Sequence, residues 1–224
     1  MKPFFSYFGA KARIAKKYPE PKHNTIIEPF AGSASYSNQY PDKQVILYDS
    51  NPIIVGVWEY LIGSKESEIL KLPTNFNHID DIKVPQEAKW LIGYWLAMGC
   101  ARPSLKPSLF SYWNDKIKNR IVTQQRNIRH WKIFQKRYSE ISENPKATWF
   151  IDPPYKTEGL IYQSHGSKHI DYKDLAKWSK TRQGQIIVCE ANNADWLPFK
   201  PFQEIVGVSH KKCKELIYYK ENTK

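Results

Sequence analysis

The order of predicted elements within residues 25–61 is the feature that most constrains how this chain can fold. Residues 25–30 predict a short buried strand that runs into a turn of small residues at 31–35. A second apolar run at 45–49 ends on an acid, and Asn51-Pro52 then favours a helix through Leu61. This order is typical of a nucleotide-binding α/β sheet, in which ligands bind beyond the carboxyl ends of the strands.

The rest of the chain predicts an inserted lobe followed by a return to the sheet. Residues 64–147 contain several aromatics and no Gly-rich turn, and they predict helices at 86–98 and 116–137. We therefore predict one domain formed by 1–63 and 148–224, interrupted by an inserted helical lobe at 64–147. The predicted later elements are a strand at 148–151, a helix at 171–180, a strand at 185–190 and a hairpin from the runs near 202–208 and 215–219.

Composition excludes several classes of protein. A chain of 224 residues with 41% hydrophobic residues suits one core rather than two large domains or a disordered chain. Cys100, Cys189 and Cys213 have neither zinc-site spacing nor a disulfide pattern, so we expect no metal and a reducing compartment. No apolar run approaches the ~18 residues of a membrane helix, so we expect a soluble cytoplasmic protein without a membrane partner.

The strongest chemical signal is Asp152-Pro153-Pro154-Tyr155, which follows the predicted strand at 148–151. Two consecutive prolines fix φ, and the segment then presents rigid carbonyls beside a carboxylate and an aromatic ring. Such acceptors can bind both hydrogens of an aromatic amine, a poor nucleophile, and stabilise the positive charge that develops on its nitrogen. Tyr155 can stack on a base, while a stiff loop without a ligand is the other interpretation of these residues.

Four segments together make the chain resemble the Dam-like, class alpha N6-adenine DNA methyltransferase family in its short phage-type form. They occur in the order found in that family and span nearly the whole chain. They are Tyr7-Phe8-Gly9-Ala10-Lys11, Glu28-Pro29-Phe30-Ala31-Gly32-Ser33-Ala34, Asp49-Ser50-Asn51-Pro52 and Asp152-Pro153-Pro154-Tyr155. The resemblance implies a Rossmann-like sheet and methyl transfer from S-adenosylmethionine to a flipped-out adenine in DNA. It also implies that 1–63 and 148–224 form the catalytic methyltransferase domain and that 64–147 is its helical target-recognition lobe.

The resemblance also implies a set of cofactor-binding residues. Glu28, Phe30 and Gly32 would line the methionine end of S-adenosylmethionine, and Asp49 would accept hydrogen bonds from the ribose hydroxyls. A glycine allows close approach of a ligand to the backbone, and an acid at a strand end suits a diol. The other residues that the resemblance places at the cofactor are Tyr7, Lys11, Ser33, Asn51 and Asp152.

Two positions depart from the family pattern. Ala34 stands where the family often has glycine, which keeps the site small. Before the catalytic strand, the family often has Gly-Asp-Tyr or Gly-Asp-Phe, whose acid contacts the adenine of the cofactor, but here the aligned residue is Arg137. Either other groups hold that adenine, or the alignment is shifted, or cofactor affinity is reduced.

Positive charge favours a polyanionic partner. The formal net charge is +12, and residues 116–137 contain eight Lys or Arg and no acid. We expect double-stranded DNA to bind there and at the loop of residues 102–108, whose neighbours Phe110, Tyr112 and Trp113 are candidates to read bases or fill the gap left by a flipped one. The candidate DNA-binding residues are Arg102, Lys106, Lys116, Lys118, Arg120, Arg126 and Arg129.

Other functions stay open at this point. The amine could belong to cytosine N4, an RNA adenine or a glutamine side chain, although such enzymes more often have Ser or Asn in place of Asp152. A catalytically silent DNA-binding protein on the same scaffold is the alternative from another class, and Arg137 favours it. A cognate restriction enzyme and an orphan enzyme acting on DNA in a bacterial or phage-infected host cytoplasm are both compatible with these residues.

Overall fold

The computed structural model describes residues 1–109, 111–156, 166–191, 193–206 and 212–221. Within them, two strands come first, four helices follow, and the remaining strands and one helix complete the order. The helices are α1 Pro52–Gly63, α2 Glu66–Leu70, α3 Gln86–Leu96, α4 Asp115–Gln125 and α5 Tyr172–Thr181. The strands are β1 Thr25–Glu28, β2 Gln44–Asp49, β3 Lys132–Gln135, β4 Ala147–Ile151, β5 Gly184–Ala191, β6 Lys200–Val206 and β7 Lys212–Glu221.

The strands form one seven-stranded sheet in the order β3-β2-β1-β4-β5-β7-β6. Strand β1 is parallel to β2 and β4, and β4 is parallel to β5, whereas β7 is antiparallel to both β5 and β6. In this register Ile27 pairs with both Ile46 and Trp149, so β1, β2 and β4 end at the same edge of the sheet. The predicted α/β sheet and terminal hairpin are confirmed.

The chain divides into two compact units by its contacts. Unit 1 comprises residues 1–18, 32–43 and 51–134, and unit 2 comprises residues 19–31, 44–50 and 135–224. These bounds differ from the predicted domain and lobe, whose division stays a prediction. No helix in the described residues is both long and apolar enough to cross a membrane.

Aromatic side chains from distant parts of the sequence form the core of unit 1. The ring of Trp58 on α1 lies 5.8 Å from that of Phe4 and 5.7 Å from that of Phe5. Trp95 on α3 donates to the carbonyl of Phe4 through Nε1 at 2.9 Å. The N-terminal segment is therefore packed against two helices of unit 1.

Unit 2 has its core on one face of the sheet, where α5 covers it. Ile27, Trp149 and Val188 are fully buried there, and Leu175 of α5 packs into the same cluster. Helix α5 begins at Tyr172 because the carboxylate of Asp171 accepts from the N–H groups of Lys173 and Asp174. This cap fixes the start of the helix.

The prediction of one helix over 116–137 is wrong beyond Gln125. The buried amide of Gln125 donates to the carbonyls of Leu61 and Ser64, and a 3-10 turn follows at Arg126–Ile128. The chain then extends as β3. The local sequence favours a helix, but the tertiary contacts of Gln125 override that preference.

Candidate active site

Acidic residues gather at the carboxyl edge of the parallel strands in unit 2. Glu28 is the last residue of β1 and Asp49 the last of β2, while Asp152 directly follows β4. The shared register brings these strand ends to one edge, where ligands of α/β sheets bind. Glu28 is only 2% exposed, and a buried carboxylate at such an edge requires polar partners.

Three elements hold the segment that follows Asp152. The hydroxyl of Tyr172, the first residue of α5, donates to the carbonyl of Pro154. The hydroxyl of Tyr155 donates to Oε1 of Glu215 on β7 at 2.6 Å. The N–H of Lys156 donates to Oε2 of Glu190 on β5 at 3.3 Å. Three successive residues are therefore fixed to a helix and two strands.

Two further acids lie beside this segment, and the sequence analysis identified neither. Glu190 is buried and also accepts from Nε1 of Trp196 at 2.9 Å, and its burial raises the pKa of its carboxyl group. A carboxylate oxygen of Glu215, a carboxylate oxygen of Asp152 and the thiol sulfur of Cys189 lie within 4.8 Å of one another. Such a set is chemically able to hold a metal ion, and the expected absence of a metal stays a prediction.

The segment at 136–138 lies against the end of β2. The N–H of Lys136 donates to the carbonyl of Asp49 at 3.2 Å, and the ring of Tyr138 lies 5.7 Å from that of Phe30. The hydroxyl of Tyr138 donates to Asp174, and burial together with this bond raises its pKa. Arg137 lies between these two anchored residues, exposed, at the edge where the cofactor was predicted.

The predicted glycine turn is tightly packed within unit 1. Gly32 has φ +44°, and a Cβ there would lie 3.1 Å from the ring of Tyr7. Nε1 of Trp58 donates to the Gly32 carbonyl at 2.8 Å, and Ser33 shares a 3.0 Å hydrogen bond with Ser35. The position therefore requires glycine for both its backbone conformation and its space.

Two other predicted cofactor residues have structural contacts in unit 1. Lys11 is mostly buried, and its ammonium group donates to the carbonyl of Gly9 at 3.3 Å. The side chain of Asn51 accepts from the N–H of Ile53 at 3.0 Å and caps α1.

Comparison with protein families agrees with these motifs. Residues 9–87 match the model of a family described as D12 class N6 adenine-specific DNA methyltransferase. Over these residues the chain is similar to this class. The match includes Gly32 and Asp49 and ends before Asp152, and a search of curated proteins finds no match.

This match confirms the predicted fold and reaction. The seven-stranded α/β sheet is the Rossmann-like sheet of a methyltransferase, and the reaction of the class is methylation of adenine N6 in DNA. Methyltransferases of this kind generally use S-adenosylmethionine.

The basic residues predicted to bind DNA differ in exposure and in their contacts with the rest of the protein. Lys118 is only 6% exposed, because its ammonium group donates to the carbonyls of Leu70 and Leu72 at 2.9 and 2.8 Å. The guanidinium of Arg120 lies 4.9 Å over the ring of Trp95. Arg129 donates to the carbonyl of Ile62 at 2.6 Å. Lys116 and Arg126 are exposed.

The loop at residues 98–112 presents apolar side chains to solvent. Leu105 is 54% and Leu109 100% exposed, and both belong to a repeated Pro-Ser-Leu sequence at 103–105 and 107–109. Backbone hydrogen bonds nevertheless fix the loop, from Ser104 to Gly93, from Ile79 to Leu105 and from Tyr112 to Trp95. Exposed apolar residues on a fixed loop are typical of an interaction site.

Phe110, Tyr112 and Trp113 were the aromatic candidates to read bases or to fill the gap left by a flipped base. Trp113 is buried, and its Nε1 donates to the carbonyl of Pro73 at 2.8 Å, so it is not placed to contact a base. Phe110 lies outside the described residues.

Proposed function

We propose that Asp152, Pro153 and Tyr155 bind a flipped-out adenine and hold its N6 for methylation. The observation that carries this proposal is the fixation of residues 154–156 by Tyr172, Glu215 and Glu190, directly after Asp152 at the carboxyl edge. A site that must orient an amine to within about 0.5 Å needs such support from rigid elements.

In this proposal the carboxylate of Asp152 and one backbone carbonyl accept the two N6 hydrogens. Because the Pro154 carbonyl already accepts from Tyr172, we assign the second acceptor to the carbonyl of Pro153. The negative charge of Asp152 stabilises the positive charge that develops on N6 during transfer, and its carboxylate oxygen is the first acceptor for the proton that N6 then loses. Tyr155 stacks on the ring of the base, a contact worth about 1 to 3 kcal/mol.

The strand-end residues of unit 2 fit S-adenosylmethionine. Glu28 and Asp49 end neighbouring parallel strands, and the rings of Phe30 and Tyr138 pack together at the same strand ends. We assign Asp49 to the ribose hydroxyls and Glu28 and Phe30 to the methionine end. When bound, the cofactor supplies a methyl group on a positively charged sulfur. The cofactor contacts of Tyr7, Lys11, Gly32, Ser33 and Asn51 stay predictions.

For DNA, we propose that exposed cations of unit 1 contact phosphates and that the loop at 98–112 contacts bases. Arg102, Lys106, Lys116 and Arg126 are exposed and can pair with phosphates. We leave Lys118 out of this set because backbone carbonyls bind it, and Arg120 and Arg129 contribute less for a similar reason. Leu109 replaces Trp113 as the candidate to fill the gap of a flipped base.

The function is tested by expressing the protein in a host that lacks adenine methylation and mapping N6-methyladenine across its genome. We expect a new modified motif. The silent DNA-binding alternative, favoured by Arg137, predicts no modified motif and no heat of S-adenosylmethionine binding in isothermal titration. Methyl groups on cytosine N4 in DNA, or on adenine in RNA alone, would overturn the assignment of the substrate.

A further inference from the structure

Glu215 is an acid inside the sheet. It lies on β7 opposite Ala191 of β5 and is only 3% exposed, and one of its carboxylate oxygens lies within 4.8 Å of the Asp152 carboxylate and the Cys189 thiol. A buried carboxyl group costs free energy unless it is hydrogen-bonded, and an apolar side chain at such a place is often more stabilising. The presence of an acid here therefore points to a role other than stability.

The contact of Glu215 with Tyr155 provides such a role. The phenol hydroxyl donates to Oε1 of Glu215 at 2.6 Å, a length within the range of a charge-assisted hydrogen bond. The two residues are separated by sixty positions in sequence. The pairing of β7 with β5 places the acid beside the segment that follows β4.

The backbone on either side of Tyr155 and the ring of Tyr155 are held by different partners. Pro154 and Lys156 are held through main-chain atoms by Tyr172 and Glu190, so the backbone on both sides of Tyr155 is fixed without Glu215. Glu215 instead binds the far end of the side chain. Loss of Glu215 should therefore release the ring and leave the fold of the segment in place.

We infer that Glu215 is a positioning residue for methyl transfer, which fixes the ring of Tyr155 at the orientation that the target base requires. This inference rests on the proposed function, in which Tyr155 stacks on the adenine. A ring held in place before the base arrives loses less conformational freedom on binding and holds N6 more closely to one position.

The test is a double-mutant cycle with Glu215→Leu and Tyr155→Phe, followed by single-turnover methylation of a duplex with saturating cofactor. We expect Glu215→Leu to slow methyl transfer about tenfold, the order expected for one charge-assisted hydrogen bond. In the Tyr155→Phe background the same change should add almost nothing. Glu215→Gln retains an acceptor oxygen and should recover most of the rate. Cofactor affinity should stay the same in all variants.

A matched control is available on the same strand. Tyr219 and Glu221 form another tyrosine–glutamate hydrogen bond, at 2.9 Å, but both residues are exposed. Tyr219→Phe and Glu221→Leu should therefore leave the rate unchanged. Thermal unfolding of every variant shows whether a loss of rate reflects a loss of fold. An equal effect of Glu215→Leu in both backgrounds, or none in either, overturns the inference. Failure of the proposed function looks different, because the wild type would then place no methyl group on adenine N6 of the duplex.

Discussion

The loop at 98–112 and helix α4, both in unit 1, carry positive charge that looks equivalent in the sequence but is used differently in the structure. Arg102 and Lys106 of the loop are exposed, whereas Lys118 of α4 is buried and donates to two carbonyls. A count of cations therefore overestimates the surface that can bind phosphate. A cation is available to DNA only where the backbone has not already bound it.

The periodicity of α4 explains this difference. Ile117, Ile121 and Gln124 form its buried face, and Lys118 lies beside that face, where its ammonium group reaches carbonyls at the end of α2 and just after it. The loop has no such periodicity, and its hydrogen bonds involve mainly backbone and serine groups. Its cationic and apolar side chains therefore stay exposed.

The largest effect that sharpens this comparison concerns two lysines on one helix. Lys118→Met leaves the carbonyls of Leu70 and Leu72 without their donor, so we expect a loss of about 2 to 3 kcal/mol in the free energy of unfolding. Lys116→Met removes an exposed charge and should change it by less than about 0.5 kcal/mol. Urea unfolding measures both, and equal losses would contradict the structural role of Lys118.

The next effect concerns the apolar tip of the loop. Leu109→Ser should lower the extent of base flipping about tenfold, because a polar side chain is a poor substitute for a stacked base. Fluorescence of a duplex with 2-aminopurine at the target position measures flipping. Leu70→Ser changes another exposed leucine, on α2, and serves as the control. If Leu109→Ser left the fluorescence unchanged, the loop would not fill the gap.

The smallest effect concerns phosphate contacts. Arg102→Ala and Lys106→Ala should each reduce the slope of log affinity against log salt by about 1, since each removes one exposed cation. Arg129→Ala should reduce it less, because this guanidinium already donates to Ile62. Fluorescence anisotropy with labelled duplex at several salt concentrations measures the slopes. A larger change for Arg129 would reverse the comparison.

The features that depend on strands ending at one edge could mostly be predicted from the sequence. Asp49 and Asp152 lie at strand ends because their apolar runs are parallel strands, and parallel strands of one register end together. Gly32 has the positive φ that its turn requires. Local sequence was sufficient in these cases, because each residue lies at or near the end of the strand that positions it.

The contacts that the sequence missed depend on pairing between distant elements. Glu215 follows a Lys-Cys-Lys stretch that resembles a solvated surface, but the pairing of β7 with both β5 and β6 buries it. Lys118 belongs to a basic run, and only the position of the segment after α2 shows that it is structural. Neither contact leaves a signal in the neighbouring residues.

The most direct test of the account is single-turnover transfer of a labelled methyl group to duplex DNA, with the wild type and Asp152→Ala compared and the product base identified by mass spectrometry. We predict N6-methyladenine from the wild type and a rate at least about a hundredfold lower from Asp152→Ala, with cofactor affinity largely retained. A full rate in Asp152→Ala would contradict the assignment of Asp152 as the residue that orients the amine.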